Sequence, residues 1–181
     1  LSNLETQQLA IEDVAALGRS FDLVVCTGVL HHLADPEEGL RALRSVLRPD
    51  GALYLMVYAP YGRTGVYMLQ DYCRRLGLGI SERDIDELRA VVKALPQRHP
   101  LVALLRGSRD IQSVDALADA LLNPRDRSYS VPQLFDFIER SGFTFGRWYW
   151  QAPYLPQCGA VSETPHATRL AALPDRQRHR A

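Results

Sequence analysis

The most constraining stretch of the chain runs from Phe21 to Ala59 and reads "FDLVVCTGVLHHLADPEEGLRALRSVLRPDGALYLMVYA". Phe21–Cys26 is a short apolar run rich in β-branched residues, the pattern of a strand buried on both faces of a parallel sheet. Asp35 is a good N-cap, Pro36 suits the first helical position, and Glu38 stands at the capping-box position. Leu40, Leu43, Val46 and Leu47 form one apolar stripe, from which Arg41, Arg44 and Arg48 point away. Pro49-Asp50-Gly51 is expected to stop the helix and turn the chain into a second buried strand, Ala52–Ala59. Strand, helix, strand in this order is a βαβ unit, and a right-handed crossover makes its strands parallel.

Around this unit the signals are weaker. Glu5–Leu9 is expected as a short strand, and Ile11–Gly18 as a helical turn or two closed by glycine. From Gly65 to Asn123 the pattern is mostly helical, with breaks at Gly77–Ser81, Pro96–Pro100 and Arg106–Asp110. A further helix is expected from about Pro132 to Arg140, capped by Ser130 and ended by Gly142. "FTFGRWYW" then reads as a strand, with Phe143, Phe145, Arg147 and Tyr149 on one face and Trp148 and Trp150 on the other. Core packing is the better reading of that aromatic run, ahead of stacking on a substrate or a nucleic-acid base.

Composition narrows the function. The chain of 181 residues, 46% hydrophobic and 23% charged, is globular in type and can bury a core. Lys plus Arg equals Asp plus Glu, so there is no bulk charge to hold nucleic acid or an anionic membrane, and neither partner is expected. Basic character is confined to "RRLG" at Arg74–Gly77 and to the tail "LPDRQRHRA". Three widely spaced cysteines and no Cys-x-x-Cys argue for a reducing interior and against structural zinc. With no signal peptide pattern and no membrane-length apolar run, the expectation is a soluble, cytoplasmic protein.

The segment "CTGVLHHL" gathers the chemistry-bearing side chains: Cys26, His31 and His32. Adjacent histidines rarely reach one ion together, so no metal site is expected. Imidazole titrates in the range useful to a general base, which makes His31 and His32 weak catalytic candidates, though hydrogen-bonded turn filler is the favoured reading. Cys26 lacks the positioned partner that a nucleophilic thiolate requires.

Taken together, "FD…LHHL…LRPDG" followed by an apolar strand resembles the middle of a class I S-adenosylmethionine-dependent methyltransferase. "SYSVPQLFDFIERSGF" is similar to that family's later helix–strand pair. The resemblance implies an α/β, Rossmann-like and mostly parallel sheet, here incomplete, with a helical insertion after the second clear strand. It divides the chain into a central core part (1–64), a helical insertion serving as lid or partner surface (65–123), a return to the core (124–154) and an irregular tail (155–181). The implied cofactor is S-adenosyl-L-methionine, bordered by Ile11, Glu12, Cys26, Thr27 and Gly28. The implied substrate residues are Tyr58, Tyr61 and Arg63, and the implied acceptor is a small molecule methylated at O, N or C.

Two departures from the family accompany the resemblance. Ala10 stands about where the family carries an acidic residue near adenine, which leaves Glu12 or Asp13 for that task. No Gly-x-Gly-x-x-Gly precedes Phe21, so the glycine-rich loop and the ribose-binding acid are expected in on the order of 50–100 further upstream residues. The chain then reads as a fragment that binds the cofactor weakly or not at all alone. Some related quinone-pathway methyltransferases hold a metal on a Glu-His pair and a further Glu. Here His31 and Gly28 stand at the first and last of those positions. The alternatives are a non-catalytic module of the same fold and a nucleotide-dependent dehydrogenase, which "LHHL" fits poorly.

Overall fold

The computed structural model describes residues 3–99, 101–102, 113–150, 154 and 158–174. The chain divides into two compact units, one formed by residues up to Val57 together with those from Tyr129 onward, the other by Tyr58–Ser128.

In the first unit the βαβ motif is present: β1 (Phe21–Thr27), α1 (Pro36–Ser45) and β2 (Leu47–Met56), with the two strands parallel and hydrogen-bonded. It is an α/β architecture, an incomplete Rossmann-like arrangement. The Asp35 carboxylate accepts the Glu38 N–H at 3.0 Å and Pro36 opens the helix, so α1 begins where its caps dictate. Asp35→Ala is expected to cost about 1 kcal/mol, read as a lower urea midpoint at unchanged m.

The start of β2 corrects the expectation. Pro49-Asp50-Gly51 does not turn the chain before the strand but lies within it. Phe21 pairs with Leu47 while Leu23 already pairs with Ala52, so Arg48–Gly51 bulge out of register. The ladder starts early because Phe21 N–H donates to Val46 O at 2.8 Å, directly past the helix end. Pro49 has no N–H to give, and a Cβ on Gly51 would lie 3.0 Å from the Asp22 carbonyl oxygen.

β1 is not buried on both faces. Cys26 is buried and Val24 partly so, whereas Leu23 and Val25 are 59% and 60% exposed. On the second face the described residues place only Tyr149, against Tyr54 beside Val25, so β1 alternates as a largely one-sided strand does. Glu5–Leu9 forms no strand either, because among the described residues β1 and β2 pair with each other alone. Ile11–Leu17 is a 3-10 helix ended by Gly18 at φ 60°.

The core of this unit joins Cys26, Leu30, Leu40, Leu43, Phe137 and Ile138. The last two come from α5 (Val131–Arg140), whose N-terminus is boxed by Ser130 N–H donating to Gln133 Oε1 at 2.8 Å. Gly142, at φ 79°, ends the helix with its N–H on Glu139 O. "FTFGRWYW" is not a strand: Phe145 and Trp148, assigned to opposite faces, lie 4.9 Å apart between ring centroids. Both also meet Phe135 of α5. Without a neighbouring strand to bond to, the segment folds around aromatic contacts instead. The tail expected to be irregular carries a helix, α6 (Pro165–Ala171), in its described part.

The second unit holds α2 (Thr64–Arg75), α3 (Glu82–Ala94) and α4 (Val114–Leu122). Its core gathers Val66, Leu69, Cys73, Ile85, Leu88, Leu117, Ala120 and Leu121. The break at Gly77–Ser81 is built from Gly77 at φ 68° and a reciprocal cap: Ser81 Oγ accepts Asp84 N–H, and Asp84 Oδ2 accepts Gly79 N–H. Those bonds, the Gly79 one foremost, hold the Asp84 carboxyl below its ordinary range. The expected break at Arg106–Asp110 lies outside the described residues. No described helix is long and apolar enough to cross a membrane.

Candidate functional site

In the first unit the chemistry-bearing residues collect where β1 ends. Thr27 closes the strand and is exposed, and Gly28 follows at φ 72° with its N–H donated to Met56 O at 3.1 Å. A Cβ at Gly28 would meet only Met56 Cε, at 3.6 Å, so conformation rather than space demands glycine here. The chain therefore leaves the strand through a sharp corner with exposed backbone, which suits close approach by a ligand.

Cys26 lies just behind that corner, its side chain turned into the core. Burial pushes its thiol above the ordinary range, only partly offset by a bond with the Leu30 backbone. A thiol held neutral is a poor nucleophile. The sign of the linkage is definite. Above the ordinary thiol range the unfolded chain ionises Cys26 and the folded chain does not, so this group lowers stability as pH rises and contributes nothing below that range. In alkylation with iodoacetamide at pH 8, Cys158 should label first, with buried Cys26 and Cys73 following only as the protein opens. Labelling of Cys26 ahead of Cys158 would reinstate it as a nucleophile.

Leu30–His32 forms one 3-10 turn, closed by His32 N–H on Val29 O and Leu33 N–H on Leu30 O. His31 is fully buried and His32 half-buried, with ring centroids 4.1 Å apart. The two imidazoles thus differ in access: His31 fills the interior, and only His32 retains contact with solvent. Ile11 packs against the same core, while Glu12 is exposed in the first turn of its 3-10 helix. Gly39, in the middle of α1, is a residue the sequence pattern did not single out. A Cβ there would collide with the Leu33 side chain and press on Leu30, so glycine lets the histidine turn sit against the helix.

In the second unit, Arg63 stacks its guanidinium 3.6 Å from the Tyr58 ring centroid, and Tyr61 is exposed. This orients the cation at little entropic cost. Two residues that sequence reasoning passed over, Gln70 and Tyr67, lie in the same unit. Gln70 is buried and its Nε2 donates to Ala120 O at 2.8 Å and to Asp126 Oδ2 at 2.6 Å. Tyr67 has its hydroxyl pushed up chiefly by burial, with Asp126 adding to the rise and Ser128 and Arg63 opposing it. One signal was available: Gln70 interrupts the apolar stripe Val66, Leu69, Cys73, and a polar side chain on a buried helix face needs a partner.

Comparison with known proteins bears on this geometry. A methyltransferase domain family matches residues 1–53, which contain the histidine turn and the Gly28 corner. An uncharacterized protein of Synechococcus is 36% identical over 149 residues, 77% of this chain and 34% of that protein. The tRNA 5-carboxymethoxyuridine methyltransferase of Escherichia coli is 43% identical over 61 residues, 33% of this chain and 23% of that enzyme. The tRNA U34 carboxymethyltransferase of Desulfotalea psychrophila is 40% identical over 55 residues, 30% of this chain and 17% of that enzyme. The chain thus spans about a third of the length of the first relative and under a quarter of the two tRNA enzymes.

These relatives overturn one expectation. Balanced overall charge argued that no nucleic acid would be a partner, yet two of the similar proteins are named for action on tRNA. Net charge reports the sum over a surface, and a substrate held by local contacts does not need the whole surface to be basic. The residues present also fit the methyl donor that the family uses, because the positive-φ Gly28 corner exposes backbone at the carboxyl end of a parallel strand. Residues 1–53 thus match a methyltransferase domain family, in keeping with the resemblance of the sequence to class I S-adenosylmethionine-dependent methyltransferases.

Proposed function

We propose that the chain is part of an enzyme that transfers a methyl group from S-adenosyl-L-methionine to a nucleotide of RNA. The observation that carries the reading is the Thr27–Gly28 corner after β1, lying within the segment that matches the methyltransferase family. The named tRNA relatives bring in the RNA acceptor. Their similarity falls on short stretches of 55 and 61 residues, so it supports the reaction more directly than the acceptor.

In this assignment the backbone of Cys26, Thr27 and Gly28 holds the cofactor, with Glu12 on the adenine side and Ile11 bracing the turn that carries it. Tyr58, Tyr61 and Arg63 contact the acceptor. When bound, the cofactor supplies a methyl group on a sulfonium. Any proton that the acceptor loses on methylation would pass to a side-chain base or to solvent. His32, which keeps solvent contact, is the better placed of the two histidines to take that proton. The protein's main contribution is alignment, worth on the order of 7–11 kcal/mol at best. Two free, buried thiols support a reducing, cytoplasmic setting.

The test is an amide chemical-shift titration with S-adenosylhomocysteine to millimolar concentration, beside transfer of tritiated methyl to bulk tRNA. Shifts centred on Thr27, Gly28 and Glu12 are expected. Gly28→Val, at a cost of roughly 1–2 kcal/mol for the left-handed conformation, should abolish them. Shifts centred on other residues, with Thr27, Gly28 and Glu12 unmoved, would sink the cofactor assignment.

A further inference from the structure

The aromatic run after α5 is split by the fold into two sets. Phe145 and Trp148 pack with Phe135, and Trp148 stacks on Tyr154 at 4.0 Å with rings 13° from parallel. Tyr149 and Trp150 instead stand in solvent, 70% and 72% exposed. They are not loosely attached to the chain end. Tyr149 leans on Tyr54 of β2 at 5.2 Å, and the Trp150 ring stands nearly perpendicular to it, 5.6 Å away and tilted by 81°. Two large rings, one of them resting on the sheet, are thus offered to solvent beside an aromatic cluster.

The local charge has one sign. Between Glu139 and Glu163 the sequence has no Asp or Glu, and its only charged residues are Arg140 and Arg147. Arg140 is engaged by Glu37 at 2.9 Å, whereas Arg147 is exposed and no acidic group among the described residues pairs with it. Arg44 adds a second exposed cation to the segment, its guanidinium 5.9 Å from the Phe143 ring centroid. In a chain whose charges balance overall, residues 140–162 thus carry exposed rings and arginines and no carboxylate in their own sequence.

We propose that Tyr149 and Trp150, with Arg147, form a stacking platform for an unpaired base of single-stranded RNA. The rings supply π-faces on which a base lies, and Arg147 meets the adjoining phosphate. A docking surface for another protein would use the same rings, but gives no reason for the exclusion of carboxylates. The proposal rests on the RNA acceptor assigned above and names the residues that grip it.

The chain has only two tryptophans, Trp148 and Trp150, so Trp148→Phe leaves Trp150 as the single indole reporter. Titrating that variant with a ten-nucleotide single-stranded RNA should quench its fluorescence to saturation. In parallel, anisotropy of the labelled RNA with the unsubstituted chain, W150A, Y149A and R147Q gives affinities that do not depend on Trp148→Phe. W150A is expected to weaken binding roughly 5- to 150-fold, the range for loss of one stacked base. R147Q should reduce the slope of log affinity against log salt by about 0.7, one phosphate contact. RNA bound equally well by W150A overturns the platform and leaves the RNA acceptor standing. No RNA binding by the unsubstituted chain overturns both. Trp150 emission that shifts with protein concentration in the absence of RNA overturns the platform in favour of a protein interface.

Discussion

Phe137→Ala is expected to remove about 3–5 kcal/mol of stability, the usual cost of emptying a fully buried aromatic site. Phe137 is 1% exposed, stacks on Tyr129 at 5.0 Å and shares a core with Cys26, Leu30 and Leu40. It is the point where α5 meets the βαβ unit, so the cavity would open beneath β1 and the turn that carries the histidines. Domains hold a net 5–15 kcal/mol, so a loss of this size takes a large part of the margin. The measurement is urea unfolding with hydrogen exchange, and protection should fall first in β1, α1 and α5. A loss under about 1 kcal/mol would mean that α5 does not anchor this core.

Gln70→Met, which keeps the length of the side chain and removes its amide, should cost about 2–3 kcal/mol. The buried amide nitrogen donates to Ala120 O on α4 and to the Asp126 carboxylate, and bonds to charged groups carry roughly 1.5–3 kcal/mol each way of counting. Part of that is recovered because Met fills the space and carries no polar group of its own to bury. The prediction is read against Leu88→Ala, a hydrocarbon deletion in the same core expected to cost 2–5 kcal/mol. If Gln70→Met is neutral, the amide is dispensable and the link from α2 to α4 is apolar alone.

What could be read in advance follows from the range of the forces involved. The N-cap at Asp35, the cap at Ser130 and the glycine stop at Gly142 are contacts within four residues, and each stands as the local pattern implies. The apolar stripe Leu40, Leu43, Val46, Leu47 is likewise a periodic property of one segment, and all four side chains are buried. Expectations that required a distant partner fared differently. Glu5–Leu9 and "FTFGRWYW" have strand-like composition, but a strand needs a neighbour to take its hydrogen bonds, and neither has one among the described residues. The partial legibility of the site has the same origin. Gly28 stands out by type, whereas the role of Gly39 depends on where Leu33 and Leu30 come to lie.

The sequence by itself determined the parallel βαβ unit, the caps that bound its helices and the likeness of residues 1–53 to a methyltransferase domain, because periodicity, capping and turn chemistry are written within a few residues. Only the tertiary structure decided that His31 is interior and His32 is not, that Gln70 ties α2 to α4, and that Tyr149 and Trp150 face solvent while Trp148 does not. Each of those outcomes depends on which surface arrives from elsewhere in the chain, and burial is a property of the pair of surfaces, not of either segment alone.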